Sequence, residues 1–352
     1  MKIWEFKDEN FGPLLSYVKD PNVTDINYNG RVVWIDDLEV GRYPVRDLIL
    51  DTAFVNQFAT RLANSVNAQF NYVENILEAE TKTLRISVIH ESVTNTGITI
   101  SIRKTEPSRR LSKELMKSTK YCTKEMMMFL ENAVKARLNI LMCGLPGCGK
   151  TELLKYLTQY IPDSDRVFTL EDNLEIHYSD INPDKDCVEL KINEKYFDYT
   201  RAIKGCLRQN LSWLILSEAR SIEVTYLLEA LSTGNHALTT LHTDDVRKVP
   251  DRIQNMMESA FDASRKENDI YNFMNIGVLL KKRINDKGMI QRYIDQICIF
   301  DRKELEDKNS ITMVAESRRI VNKTLPDNIM FKFREANIKD PFYVGRGYEE
   351  WK

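Results

Sequence analysis

The sequence predicts an α/β protein in two parts, a mixed α/β N-terminal domain followed by a domain built on a mostly parallel sheet. Three observations point there. From Leu138 onward, short apolar runs alternate with amphipathic ones, and strand–helix alternation of that kind implies a parallel sheet with helices on both faces. A length of 352 residues favours two or three domains over one. A glycine-rich stretch at residues 144–151, "GLPGCGKT", joins an apolar run to an amphipathic one. The expected boundaries are 1–104 for the N-terminal domain, 105–122 for a linker, and 123–352 for the second domain with its C-terminal extension.

In the first domain "INYNGRVVWID" reads as a hairpin, because Asn29-Gly30 is a favoured two-residue turn and "RVVWID" is β-branched and aromatic. Phe54, Phe58, Leu62 and Val66 recur every fourth position, one apolar face of a helix. "LRISVIHES" and "GITISIRK" alternate apolar and polar residues about a turn at residues 95–97, a second pair of half-buried strands. "KTEPSRRLSKELMKSTKYC" is polar, basic and broken by Pro107, as a linker would be. Thr123 is a candidate N-cap for a helix over "KEMMMFLENAVKAR", with Met127, Leu130 and Val134 inward. Its three consecutive methionines read as core filling rather than as an adaptable surface.

In the second domain "LNILMC", "RVFTL", "WLILS" and "ALTTLH" read as strands. "KTELLKYLTQY", "YFDYTRAIKGCLRQN" and "IEVTYLLEALST" are the helices between them. Later, "IGVLLKKRINDKGMIQRYIDQICIF" reads as two strands about a turn at Gly288. The tail after about residue 303 is charged and reads first as a solvated end, second as a partner contact.

Hydrophobic content of 43% and charged content of 29% suit a soluble globular protein. A formal net charge of -2 gives no global case for wrapping nucleic acid, so direct nucleic-acid binding is not indicated, and only a local basic surface stays open to it. Cys122, Cys143, Cys148, Cys187, Cys206 and Cys298 form no C-x-x-C pair, which argues against a zinc ribbon and for the reduced thiols of a cytosolic protein. The opening "MKIWEFKDEN" mixes charges without an apolar segment, unlike a signal peptide. No run approaches the ~18 apolar residues of a membrane span, so any membrane association is expected to be peripheral.

Residues 144–151 fit G-x-x-x-x-G-K-[ST], with Gly144, Gly149, Lys150 and Thr151 fixed and Leu145, Pro146, Gly147 and Cys148 between. Glycines let backbone N–H groups converge on phosphate oxygens, and the helix starting at Lys150 adds its positive end. Lys150 is expected to reach the β- and γ-phosphates of ATP, and the Thr151 hydroxyl to hold Mg²⁺. Cys143 and Cys148 read as small residues where space is tight. Open parallel sheets place ligands at the carboxyl ends of their strands. There stand Glu171, Asp172 and Glu175 after "RVFTL", Glu218 after "WLILS", and His242 at the end of "ALTTLH". Such a set beside a phosphate loop suggests Mg²⁺-water ligation, water activation and a γ-phosphate sensor.

With these motifs in series the chain resembles the hexameric traffic ATPases of type II and type IV secretion, among them the motors of conjugation and tight-adherence pili. The resemblance rests on the Walker A loop "GLPGCGKT", an acidic box "TLEDNLEI", a Walker B strand "LILSEAR" and a histidine box "TGNHALTTLHT". "VTDINYNGRVVWID", "GITISIRK" and "KKRINDKGMIQRYIDQI" extend it from about residue 20 to 300. Ser212 and Ser217 depart from the usual Walker B strand, and Asn235 stands where the first histidine of the box falls, with His236 one place later.

The resemblance implies a RecA-like P-loop NTPase domain, a homo-oligomer of six subunits, and ATP with Mg²⁺. It implies that Glu218 holds Mg²⁺ through water or polarises the attacking water, that Glu175 or Glu171 orients that water, and that His242 senses the γ-phosphate. Arg103, and after it Arg85, would reach the nucleotide from the N-terminal domain. Arg208 and Arg220 would contact phosphate or a neighbouring subunit. The implied partners are inner-membrane components of a secretion, conjugation or pilus machine, with the motor peripheral at the cytoplasmic face of the cell membrane. Two alternatives stay open, a RecA-like DNA translocase or helicase and a non-hydrolysing nucleotide-gated scaffold.

Overall fold

The computed structural model describes residues 6–343 except 194, 222, 258 and 259. The chain divides into two compact units, Met1–Pro107 with Ile284–Gln291, and Ser108–Arg283 with Arg292–Lys352. Among the described residues the strands form one sheet of six and one of nine, and no helix is long and apolar enough to cross a membrane.

The first unit runs α1 (Leu15–Lys19), β1 (Val23–Tyr28), β2 (Val33–Asp37), β3 (Gly41–Val45), α2 (Thr52–Val66), β4 (Ile76–Glu80), β5 (Leu84–Ile89) and β6 (Thr99–Lys104). Its sheet is antiparallel, in the order β3-β2-β1-β6-β5-β4. Asp51 starts α2 by accepting the Phe54 N–H at 2.6 Å, which satisfies one of the orphan donors of the first turn. Phe58 and Leu62 then pack in one cluster with Ile26, Ile35, Ile86 and Ile102. The first turn is wider than the expected two residues. β1 ends at Tyr28 and β2 begins at Val33, because the Asn29 side chain accepts the N–H groups of Arg31 and Val32 at 3.0 and 2.9 Å.

The second unit opens with α3 (Lys113–Ser118), α4 (Lys124–Lys135), β7 (Ile140–Cys143), α5 (Lys150–Leu157), β8 (Val167–Glu171), α6 (Tyr178–Ile181), β9 (Cys187–Lys191) and α7 (Tyr199–Cys206). It continues with β10 (Trp213–Leu216), α8 (Glu223–Ser232), β11 (His236–Leu241), α9 (Val249–Gln254), α10 (Ala260–Phe273), β12 (Ile276–Ile284), β13 (Ile290–Lys303), β14 (Lys308–Glu316), β15 (Arg319–Ile320) and α11 (Asp327–Glu335). The sheet order is β15-β14-β13-β12-β7-β11-β10-β8-β9. From β12 to β9 every pair is parallel, and β14 and β15 pair antiparallel on the other flank. The parallel core is buried on both faces. Ile140, Met142, Trp213 and Ile215 pack with Met127, Leu130 and Leu153, while Leu141, Phe168, Leu214 and Leu216 pack with Ile203 and Leu227.

Two stretches are more ordered than their charge suggests. Within residues 105–122, Ser112 caps α3, Met116 and Tyr121 are buried in the second unit's core, and the Arg109 guanidinium donates to the Lys155 carbonyl at 3.2 Å. The tail after residue 303 is no solvated end, since it supplies β14, β15 and α11. Its Phe342 stacks on Phe129 with ring centroids 5.0 Å apart.

Candidate functional site

The phosphate loop follows β7 and leads into α5. Gly144, Gly147 and Gly149 have φ of 147°, 75° and 94°, backbone that side-chain-bearing residues adopt only with strain. At Gly144 a Cβ would also lie 2.4 Å from the Leu280 carbonyl oxygen and 2.6 Å from Cys148 Sγ. Cys148 is itself buried, and burial pushes its thiol up. Leu145, Pro146 and Gly147 stay exposed, and Lys150 is buried at the N-terminus of α5.

Lys150 begins a run of polar contacts along the carboxyl edge of the sheet. Its ammonium donates to the Gly144 carbonyl at 3.0 Å and lies 3.2 Å from His242 Nδ1. His242 Nε2 is 2.6 Å from Glu218 Oε1, and Glu218 Oε2 accepts from Arg220 at 2.6 Å. His242 Nδ1 lies 3.2 Å from the Gly144 carbonyl as well, so the lysine, the imidazole and that carbonyl form one close set. Three strand ends, those of β7, β10 and β11, thus converge on one path. Burial lowers the Lys150 pKa, partly offset by Cys148, Glu218, Cys143 and Glu175. The hydrogen bond to Glu218 raises that of Arg220.

The acidic box divides into buried and half-exposed members. Glu171 is the last residue of β8 rather than the first beyond it, and it is fully buried. Its Oε2 accepts the N–H groups of Glu175 and Ile176 at 2.9 and 3.0 Å, and its Oε1 is enclosed without a hydrogen-bond partner. Burial pushes its carboxyl up to about 8 against the pull of those two donors. Glu171 therefore does not stand where it can orient water; it pins the loop that presents Glu175. That second carboxylate is half-buried and close enough for its charge to act on Lys150. Asp172 accepts from Tyr199 at 2.9 Å and faces Arg220 at 3.4 Å.

The other sequence candidates fall elsewhere. Arg208 is exposed in the turn between α7 and β10, at the amino end of that strand, so the parallel topology carries it to the edge opposite the phosphate loop. Arg85 and Arg103 belong to the first unit. They are cross-strand partners there, in a row that runs Asp25, Arg103, Arg85, Glu80 across four strands. Arg103 donates to Asp25 at 2.7 Å, and Arg85 lies 3.6 Å from Glu78. Acids at both ends of the row offset the repulsion of two adjacent guanidinium groups.

His236 opens β11 and likewise lies at the amino edge. Its ring packs on Trp213 with centroids 5.3 Å apart. Burial first, then the charges of Lys332 and Arg137, lower its pKa to about 4. Beside it Asp165 accepts two hydrogen bonds from Arg137, at 2.8 and 2.7 Å, and one from the Trp213 indole at 3.0 Å. Burial pushes Asp165 up, but these donors together win and leave its carboxyl below the usual range.

Two cations beside the phosphate loop went unread in the sequence. Arg292 Nε donates to the Gly147 carbonyl at 2.9 Å, and Lys282 Nζ would lie 3.1 Å from a Cβ at Gly147. Both come from strands recognised as such; only their placement against a loop more than 130 residues earlier was hidden.

A nucleoside triphosphate with its Mg²⁺ fits these residues. The glycine geometry leaves the loop's backbone open to close approach, the N-terminus of α5 follows it, and a buried lysine is held at its mouth. Mg²⁺ carried on phosphates needs only one or two protein oxygens, and the half-buried Thr151 and Glu218 are of that kind. The class so defined is a P-loop nucleotide binder with a RecA-like domain behind a mixed α/β domain.

The chain belongs to the Type II/IV secretion system protein family, which it matches over residues 69–334. It is similar to an uncharacterised protein of Bacillus anthracis, 27% identical over 275 residues, covering 77% of this chain and 62% of that one. It is also similar to the Type IV secretion system protein VirB11 of Bartonella quintana, 32% identical over 132 residues and 36% of each chain. This chain thus spans less than two thirds of either relative's length. Among solved structures, the ATPase DotB of Legionella pneumophila superposes with a TM-score of 0.63 at 16% identity, over 96% of this chain and 89% of that one. The Pilus Retraction Motor PilT with bound ADP superposes with a TM-score of 0.58 at 13% identity, over 94% and 87%. At such identities the likeness is one of fold.

Proposed function

We propose that the chain is an ATP-hydrolysing motor that works as a ring of six subunits at the cytoplasmic face of a type IV secretion, conjugation or pilus machine. What supports this best is the polar run from Lys150 through His242 and Glu218 to Arg220, which links three strand ends at the edge where such sheets hold ligands. In this reading the loop's N–H groups and the Lys150 ammonium hold the phosphates of ATP. Thr151, and Glu218 through water, would hold Mg²⁺, which when bound neutralises charge on the phosphates. Glu218, already hydrogen-bonded to His242, polarises the attacking water, with Glu175 its second orienting group. His242 exchanges its contact with Lys150 for one with the γ-phosphate and so reports cleavage to β11. Kinship with secretion ATPases and the bound ADP of the pilus retraction motor support both the nucleotide and the mechanical use of its energy.

The experiment is phosphate release by purified Lys150→Ala beside the native chain. Release is expected to be abolished with the thermal midpoint nearly unchanged. Undiminished release would overturn the assignment.

A further inference from the structure

We propose that β12 and β13 brace the phosphate loop from outside, with Arg292 a positioning residue for the bound nucleotide and Lys282 an added cation on the same rim. The proposal rests on the nucleotide-binding reading above. A peptide unit is planar, and its C=O and N–H point in opposite directions. The hydrogen bond from Arg292 to the Gly147 carbonyl therefore does more than tie down one atom. It turns the Cys148 N–H toward the loop's inner side, where that N–H meets the Leu145 carbonyl at 3.3 Å. Gly147 and Gly149 lack side chains that would hold the loop's shape, so an external restraint selects one conformation from the many open to glycine.

The bracing strand comes equally close at the loop's other end. The Leu280 carbonyl sits where a Gly144 Cβ would be, so backbone of β12 lies directly against the first glycine. Two residues on, Lys282 sets its exposed ammonium beside Gly147. Arg292 is half-buried near Cys148, Arg110, Tyr121 and Glu152, and its partial loss of solvent lowers its pKa. Taking a guanidinium even partly out of water has a cost that hydrogen bonds offset, and the Gly147 carbonyl accepts one of them.

The two residues should act in distinguishable ways. Arg292 acts through geometry, so its loss should speed nucleotide release and survive high salt. Lys282 is an exposed charge, whose effect salt should screen. The experiment measures ADP affinity by calorimetry and release by stopped-flow, for the native chain, Arg292→Ala, Arg292→Lys, Lys282→Ala and Lys150→Ala. Arg292→Ala is expected to release ADP about tenfold faster, the size of one charge-assisted hydrogen bond, with Arg292→Lys recovering part of the loss. Lys282→Ala is expected to weaken ADP about threefold at low salt and not at all at 0.5 M salt, about the reach of a single screened charge. Native affinity and release in Arg292→Ala and Lys282→Ala, alongside a lowered thermal midpoint, would reduce Arg292 to packing and overturn the brace. Should Arg292→Ala not fold, native release in Arg292→Lys together with native affinity in Lys282→Ala would do the same. If Lys150→Ala bound ADP as the native chain does, the nucleotide reading itself would fall, and the brace with it.

Discussion

Strand β11 has a histidine at each end, and the two ends have opposite surroundings. His242 follows the last residue of the strand and touches Lys150 and Glu218. His236 opens the strand about 20 Å away, at ~3.3 Å per residue, and lies against Trp213 with its pKa lowered to about 4 by burial and by the Lys332 and Arg137 charges. At the carboxyl edge, polar groups are linked by contacts that a bound phosphate could replace. At the amino edge they are committed to each other, as Asp165 is to Arg137 and Trp213. One residue type on one strand thus stands in a polar run at the ligand edge of the sheet or packs against an indole at the other.

The largest expected effect tests the reactive edge. Glu218→Gln removes the charge between His242 and Arg220 and should lower ATP turnover by at least ~10²-fold, with little change in thermal midpoint. Turnover within a few-fold of native would show that Glu218 is not the water-activating group.

At the opposite edge, Asp165→Asn should cost stability rather than chemistry. The Asp165 side chain is 7% exposed but Arg137 is 44% exposed, so solvent screening discounts the pair and a loss of about 2 kcal/mol is expected by urea unfolding. Turnover per folded molecule should hold. A variant as stable as the native chain but slower would invert the contrast between the edges.

Glu171→Gln sharpens the contrast within the reactive edge. Glu171 keeps its proton up to about 8 when folded, against 4.5 for an ordinary glutamic acid. The folded chain therefore binds the extra proton across that window, and stability falls as pH rises from about 4.5 through about 8. Glutamine cannot titrate, so its thermal midpoint should gain on the native one between pH 6 and pH 9. A gap that does not change with pH would mean the carboxyl is ionised in the fold.

The smallest effect belongs to His236→Asn, whose turnover should stay within about twofold of native, as for independent distant sites. A larger loss would join the two ends of β11 functionally.

Much of this was legible in the sequence, and what was not has physical causes. The phosphate loop, the parallel strands and the meeting of Glu218 with His242 follow from local pattern and from where parallel strands end. The burial of Glu171 was hidden because it turns on whether β8 stops at residue 170 or 171, and element ends are the least certain part of any pattern. Strand β3, with Pro44 inside it, and the short β9 are edge strands with little apolar alternation. Helix α3 was masked by lysines, since Met116 is the one residue of it that is buried. The placement of Arg292 on Gly147 is a contact across 145 residues, beyond the reach of periodicity.

The enclosure of Cys148 within the phosphate loop has a practical consequence. A protonated, enclosed thiol reacts slowly with alkylating reagents, so the rate at which Cys148 is labelled times how often the loop comes apart. Cys143, buried in the adjoining strand with its thiol also pushed up by burial, is labelled only when the sheet opens. The two sulfurs form a clock with two hands, and mass spectrometry of their labelling over time separates breathing of the loop from global unfolding.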